Sequence, residues 1–423
     1  MDVFEQFLQD HADDDTARLL LGRAKWPSID MDLAVHTIEG RRRIRTKVPQ
    51  WDGVPGMLYP TRLCTEQCSS AATARYKADL AARILASGTS GDAAPTGRIA
   101  DLTGGLGVDV WAFSEVAQEV LHNEMDPLLS DAVHNNFEEL GIGNVVFRNA
   151  AVVPTATLPA ESAAGAAGSV ASILDGFRPD LIFLDPARRA TDGRKVFRLE
   201  DCQPDVLTLL PELFEACPHL LLKISPMADI SLVVNQLHPR EVHVVGADGE
   251  CKELLLRLER GWEGTCTLQV TELAEDTATL RFPLDIERSA VPVYAAAIGL
   301  TDRLLFEPGK ALAKAGLFNT ISQQFGLLKL SRHTHLYLIP GKPGLDLAAF
   351  GKTYQILEVH EFSGKALKAL GKAWPQAEVT ARDLPLSSDE LRRRLGVRSG
   401  GDIHIFGCRI ADTPRLLVTR CLR

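Results

Sequence analysis

The amino-acid sequence predicts an α/β protein: a mainly parallel sheet preceded by a helical region and followed by two small α+β domains. Three observations carry this. Between residues 98 and 224 short apolar runs with strand character alternate with segments of helical spacing, the pattern of parallel strands joined by crossover helices. A glycine-rich turn, "DLTGGLGVD" (101–109), joins the first of those strands to the helix after it. Beyond residue 262 the glycine-loop pattern stops and shorter strand and helix signals take over. A chain of 423 residues, 45% hydrophobic and 24% charged, is long enough for two or three domains with sizeable cores.

The elements follow in order. "SSAATARYKADLAARILA" (69–86) is alanine-rich with helical spacing and closes an N-terminal helical region, residues 1–85. "ASGTSGDAAPTG" (86–97) reads as loop. "RIADLTG" is a buried strand running into a turn, "VDVWAFSEVA" a helix, "EVLHNEMDP" a second strand ending in acids, "LLSDAVHNNFEELGI" a helix and "NVVFRNAAV" a third strand. The Ala/Gly/Ser stretch 154–173 reads as an insertion with a helical end. "PDLIFLDPARR" and "HLLLKISP" are the fourth and fifth strands, with a helix around "PDVLTLLPELFEA" between them. "REVHVVGADGECKELLLRLER" is a hairpin that adds an antiparallel edge strand and ends a domain at 86–261. Two α+β domains are expected at 262–345 and 346–423, the second holding a helix that starts at Ser387–Ser388 and carries Arg392, Arg393 and Arg394.

Several function classes drop out. The eight cysteines include no CxxC pair, so neither a zinc ribbon nor a disulfide framework is indicated. "CTEQC" (64–68) would need a cysteine at position 71 to ligate a radical enzyme's iron–sulfur cluster, and Ala71 stands there. The thiols read as buried, and no metal is expected. No apolar run approaches the roughly 18 residues of a membrane span, and the acidic N-terminus is unlike a signal peptide, so a cytoplasmic protein is expected. The net charge of −9 argues against a uniformly basic nucleic-acid binder. That charge is uneven: residues 330–423 hold 15 Lys and Arg against 9 Asp and Glu, the rest 31 against 46.

The glycine turn discriminates between cofactors. A dinucleotide fingerprint needs GxGxxG, but from Gly105 the sequence reads "GLGVDV", with Val110 at the third glycine position. The spacing is instead Asp101-x-x-x-Gly105-x-Gly107. An acid at the strand's carboxyl end repels a pyrophosphate and attracts a cationic amino-acid group, while Glu124, ending the second strand, can accept both ribose hydroxyls. That charge pattern suits S-adenosylmethionine and not NAD.

The strand order, the "DLTGGLGVD" loop, Glu124 and the "FLDPAR" strand end resemble a class I S-adenosylmethionine-dependent methyltransferase with its Rossmann-like sheet, over roughly residues 60–260. The resemblance implies that Asp101, Gly105 and Gly107, with Thr103 of the same loop, surround the methionine part, Glu124 the ribose and Asn149 the adenine. "EQCSSAATARYKA", "LLLKISPMADI", "GECKELLL", "FEPGKALAKAG" and "RDLPLSSDELRRRLGVRSGGD" extend the likeness to bacterial methyltransferases with a ferredoxin-like insert and a C-terminal THUMP-like domain. The THUMP name implies RNA by analogy.

The fourth strand ends Asp185-Pro186-Ala187-Arg188, where nucleobase N-methyltransferases carry (D/N)PP(Y/F). Asp185 and Pro186 match; the aromatic is missing. Asp185 is expected to orient an amine or to take a proton from a ring nitrogen, or else to cap a turn. Arg188, with Arg189 beside it, is expected to stack on a base or hold a phosphate. Ser69, Ser70 and Thr73 stand where they could meet the methionine carboxylate or simply cap a helix. Lys223 is expected to pair with Glu253 or Glu250, and "RRRIRTK" (41–47) to bind phosphate or form a solvated face. The reading that results is a methyltransferase acting on a nucleobase nitrogen of structured RNA, tRNA or rRNA, through its basic C-terminal domain. A protein or small-molecule methyltransferase and a non-catalytic RNA-binding protein are the alternatives.

Overall fold

The computed structural model describes residues 3–86, 97–158, 167–188, 198–296, 299–341 and 347–422, with only the backbone at Arg188. The chain divides into two compact units, residues 1–242 with 254–264, and 243–253 with 265–423.

The first unit opens with helices α1 (Val3–Asp10), α2 (Thr16–Leu21), α3 (Met31–Lys47), α4 (Arg62–Gln67) and α5 (Ala71–Ala86). Aspartates start two of them: Asp15 and Asp30 accept hydrogen bonds from otherwise unpaired amides of α2 and α3. Next come β1 (Arg98–Asp101), α6 (Val108–Ser114), β2 (Glu119–Asn123), α7 (Pro127–Glu139), β3 (Val145–Arg148), β4 (Leu181–Leu184), α8 (Val206–Ala216), β5 (His219–Ile224), α9 (Ile230–Leu237), β6 (Glu241–Ala247) and β7 (Glu250–Glu259). Asp126 caps α7, and Pro127 supplies the fixed φ that suits a first helical residue.

The sheet runs β3-β2-β1-β4-β5-β7-β6. Strands β3, β2, β1, β4 and β5 are parallel, and β7 is antiparallel to β5. The four residues of β4, LIFL, are all buried, as a strand covered by helices on both faces requires. The antiparallel strand is not at the edge, contrary to the expectation: β7 is inserted between β5 and β6. Its run of six buried residues explains this, since an edge would leave such a strand half uncovered. At the hairpin base Arg257 pairs with Glu241 at 2.6 Å and Arg240 with Glu259 at 2.6 Å, which fixes the register. The neighbours of β1, β2 and β4, are reached in opposite directions from it, so the carboxyl end of β1 is the topological switch point of the sheet.

In the second unit β8 (Thr267–Leu273) and β9 (Ala278–Pro283) pair with each other and adjoin the tip of the β6–β7 hairpin. The remaining elements are β10 (Val293–Tyr294), β11 (Leu304–Pro308), α10 (Lys310–Ala315), α11 (Phe318–Phe325), β12 (Leu328–Lys329), β13 (Tyr337–Ile339), β14 (Gly351–Glu361), α12 (Gly364–Ala373), β15 (Glu378–Ala381), α13 (Ser388–Leu395), β16 (Ile403–Ile410) and β17 (Thr413–Cys421). They form one eight-stranded sheet in the order β10-β12-β13-β11-β14-β17-β16-β15. Both stretches that read as separate in sequence contribute to it, because the long β14 pairs with β11 through one part and with β17 along its length. Helices α12 and α13 bury Leu367, Leu370, Leu391 and Leu395 in one cluster. Gly371 permits their contact: a Cβ there would lie 1.8 Å from the carbonyl oxygen of Leu395.

Among the described residues no helix is long and apolar enough to cross a membrane, and no group of three or more His, Cys, Asp or Glu could hold a metal ion.

Candidate active site at the carboxyl edge of the parallel sheet

Asp101 is the last residue of β1 and is fully buried. Its Oδ1 accepts from the Thr103 amide at 2.9 Å and from the Thr103 hydroxyl at 3.3 Å, which turns the chain out of the strand. Burial pushes the Asp101 carboxyl well above the ordinary carboxylate range, and the charges of Asp109 and Asp185 push it the same way. The Thr103 hydroxyl also accepts from the Asp185 amide at 2.6 Å. One threonine therefore ties the end of β1 to the end of β4.

The turn then passes through Gly105 at φ +52° and Gly107 at φ +80°, conformations that favour glycine. A side chain at Gly107 would also press on Phe137, at 2.8 Å. Gly104 lies over His122, where a Cβ would come within 2.3 Å of the imidazole. Burial lowers the His122 pKa to about 4, so the ring is neutral at neutral pH, and its Nε2 lies 3.2 Å from the Gly105 carbonyl it can donate to.

Glu124 follows β2 and reaches back under this turn. Its two carboxylate oxygens accept from the Gly105 amide at 3.0 Å and the Asp126 amide at 2.8 Å. Burial raises its pKa. Asn149, just after β3, donates to the Glu124 carbonyl at 2.6 Å, and Asn123 donates to the carbonyls of Leu102 and Ala150 at 3.0 Å each. These amides hold the ends of β1, β2 and β3 together.

The serines before α5 have different surroundings. Ser70 accepts from the Thr73 amide at 3.2 Å and so caps α5. Ser69 is buried and donates to Asp109 at 2.9 Å, while Lys77 reaches both Ser69 and Asp109 at 3.1 Å. Lys77, entirely buried, and Asp109, in the first turn of α6, are absent from the sequence-derived site. The signal available for Lys77 was a lone lysine on the apolar face of an alanine-rich helix.

Asp185 closes the constellation. Its Oδ2 is 2.5 Å from Lys223 Nζ, with the lysine side chain 14% and the aspartate 36% exposed. Lys223 thus pairs with Asp185, a partner the sequence reading did not name, while Glu250 pairs with Lys310 at 2.7 Å. The register explains it: Leu184 of β4 lies opposite Leu222 of β5, so the next residue of each strand emerges side by side. Pro186 is buried. The backbone of Ala187–Arg188 pairs with Cys202–Gln203; the Arg188 side chain and Arg189 lie outside the described residues.

The family profile for a THUMP domain-like fold matches residues 351–421, and that for a ferredoxin-like domain matches residues 304–341. A protein of Porphyromonas gingivalis W83 with a crystal structure described as a methyltransferase is 31% identical, with a TM-score of 0.79, over 99% of this chain and 98% of that one. The chain belongs to the class I S-adenosylmethionine-dependent methyltransferases that carry a THUMP-like domain. Proteins of two Mycobacterium tuberculosis strains, named uncharacterized S-adenosylmethionine-dependent methyltransferases, are 24% identical over 351 residues, 82% of this chain and 85% of theirs.

The cofactor of this methyltransferase is S-adenosylmethionine, and the carboxyl edge fits it. Asp101 is a buried carboxyl at the end of β1 whose two neighbouring acids are each paired with a lysine, Asp109 with Lys77 and Asp185 with Lys223, and a carboxyl group at this edge suits an ammonium better than a pyrophosphate. The glycines, lacking a Cβ, let the backbone of the turn approach a ligand closely.

The enzyme's basic runs divide in two. The run 41–47 is engaged internally: Arg41 holds Glu5, Arg42 the carbonyls of Ala12 and Asp14, and Lys47 those of Thr65, Glu66 and Cys68. On α13 Arg392 pairs with Asp389 and Arg394 with Glu390, so only Arg393 of that trio projects without a partner among the described residues.

Proposed function

We propose that this methyltransferase acts in the cytoplasm on a nucleobase nitrogen of structured RNA, a tRNA or an rRNA. Asp101, Thr103, Gly105, Gly107 and Ser69 would hold the methionine part, Glu124 the ribose and Asn149 the adenine; Ser70 would contribute through the start of α5. S-adenosylmethionine supplies an electrophilic methyl group when bound. Asp185 is the residue on the acceptor side: with Lys223 fixing one carboxylate oxygen, it accepts a hydrogen bond from the acceptor nitrogen's N–H, orients the lone pair and takes up the proton. Pro186 fixes the chain beside it, and Arg188 would hold a base or a phosphate. The residues 1–85, 86–261, 262–345 and 346–423 serve as helical region, methyltransferase, ferredoxin-like and THUMP-like domains.

The observation that supports this reading is the tie from Asp101 through Thr103 to Asp185, which brings the two carboxyl groups to one edge of the sheet. RNA as the substrate class is supported by the THUMP-like match and by the excess of cations in residues 330–423. The test is transfer of labelled methyl from S-adenosylmethionine to RNA extracted from cells lacking the gene. Incorporation that disappears with Asp185→Ala, with cofactor affinity kept within a few-fold, is the expected result. Turnover that survives this substitution leaves Asp185 a turn cap.

A further inference from the structure

The basic surface of the THUMP-like domain is centred on α12 and not on the arginines of α13. Helix α12 reads GKALKALGKA and contains no acidic residue. Its apolar face, Leu367 and Leu370, is buried against Leu391 and Leu395 of α13. Lys365, Lys368 and Lys372 are all exposed, and their spacing of three and then four residues sets them along one stripe of the helix. At 1.5 Å per residue that stripe is about 10 Å long. Among the described residues none of the three lysines has a hydrogen-bond or ion-pair partner.

The contrast with α13 decides where free charge lies. Arg392 and Arg394 are neutralised by Asp389 and Glu390 one turn earlier on their own helix. Among the described residues the cations left unneutralised on these two helices are Lys365, Lys368 and Lys372 on α12 and Arg393 on α13, with the exposed Arg398 just beyond α13. The two helices touch at Gly371 and Leu395, so the four helical charges belong to one packed layer.

We infer that the Lys365–Lys368–Lys372 stripe of α12 binds the phosphate backbone of structured RNA. The inference rests on the RNA reading above and names the surface that reading lacks. A row of flexible ammonium groups with no fixed partner suits a repeating line of phosphates, which lysine meets as point charges without reading sequence.

The test uses the full chain and tRNA and rRNA fragments from cells lacking the gene, by filter binding at several salt concentrations. The triple variant Lys365→Glu, Lys368→Glu, Lys372→Glu leaves the buried face of α12 intact. It is expected to weaken binding roughly tenfold or more and to flatten the slope of log affinity against log salt by about 2, since each phosphate contact contributes about 0.7–0.9. Arg392→Gln with Arg394→Gln is expected to change both by much less. Equal affinity and slope for the wild type and the lysine variant, while the wild type still methylates RNA, overturns the stripe and leaves the RNA reading standing. No RNA binding and no methyl incorporation by the wild type overturns both. Binding of the wild type to anionic phospholipid vesicles but not to RNA, lost in the lysine variant, also overturns the proposal.

Discussion

Replacing Lys77 with methionine should destabilise the first unit more than any surface change. Lys77 is wholly inaccessible, and its ammonium lies 3.1 Å from both Asp109 and Ser69. Asp109 is 10% exposed, so the variant leaves a nearly buried carboxylate with the Ser69 hydroxyl as its remaining side-chain partner among the described residues. Removing one partner of a buried ion pair costs about 3–5 kcal/mol. A unit of this size loses about 2–4 °C of melting temperature per kcal/mol, so its transition should fall by roughly 10 °C. The assay is thermal unfolding followed by circular dichroism. Adding Asp109→Leu to Lys77→Met should recover most of the loss, since an apolar pair of similar volume leaves no stranded charge. A single variant that melts within about 2 °C of the wild type, or a double variant that melts lower still, would show that this pair does not pin α5 to α6.

Three further outcomes follow from the geometry. Burial raises the folded-state pKa of Asp101 above its unfolded value, so the protonated form is favoured in the folded enzyme; affinity for the cationic cofactor should climb as pH rises through that raised value, and calorimetry on Asp101→Asn should find weak binding with this pH dependence gone. Stability changes in the opposite sense: the Asp101 contribution is greatest below the unfolded carboxylate pKa and declines as pH passes through the folded one. Gly104→Ala would drive a methyl group to 2.3 Å from His122, costing about 1–3 kcal/mol in denaturant unfolding and loosening the cofactor turn. Lys223→Met should lower the methyl-transfer rate with cofactor affinity nearly unchanged, and Lys223→Arg should restore part of it; equal losses for both variants would make the lysine a packing residue only.

Much of this was legible in the sequence because parallel strands announce themselves. The apolar runs ending in Asp101, Glu124 and Asp185 mark carboxyl ends of strands, and the glycines at 105 and 107 mark a turn that needs positive φ. Side-chain partnerships were less legible, since they depend on register. Lys223 meets Asp185 because β4 and β5 align Leu184 with Leu222, which no spacing in the chain reveals. Lys77 and Asp109 are 32 positions apart and meet through the packing of α5 on α6. The Arg392–Arg394 run read as a charged surface because sequence shows charge but not the rotamers that turn Arg392 and Arg394 onto Asp389 and Glu390. The position of β7 inside the sheet was missed for a similar reason: a hairpin pattern fixes pairing between its two strands and leaves open which of them faces β5.

The most direct measurement is mass spectrometry of nucleosides from tRNA and rRNA of cells with and without the gene, complemented by the wild type and by Asp185→Ala. Methylation of an RNA base nitrogen through Asp185 predicts one methylated nucleoside, carrying the methyl on that nitrogen, that is lost on deletion, restored by the wild type and not restored by Asp185→Ala. Identical nucleoside profiles with and without the gene would contradict it.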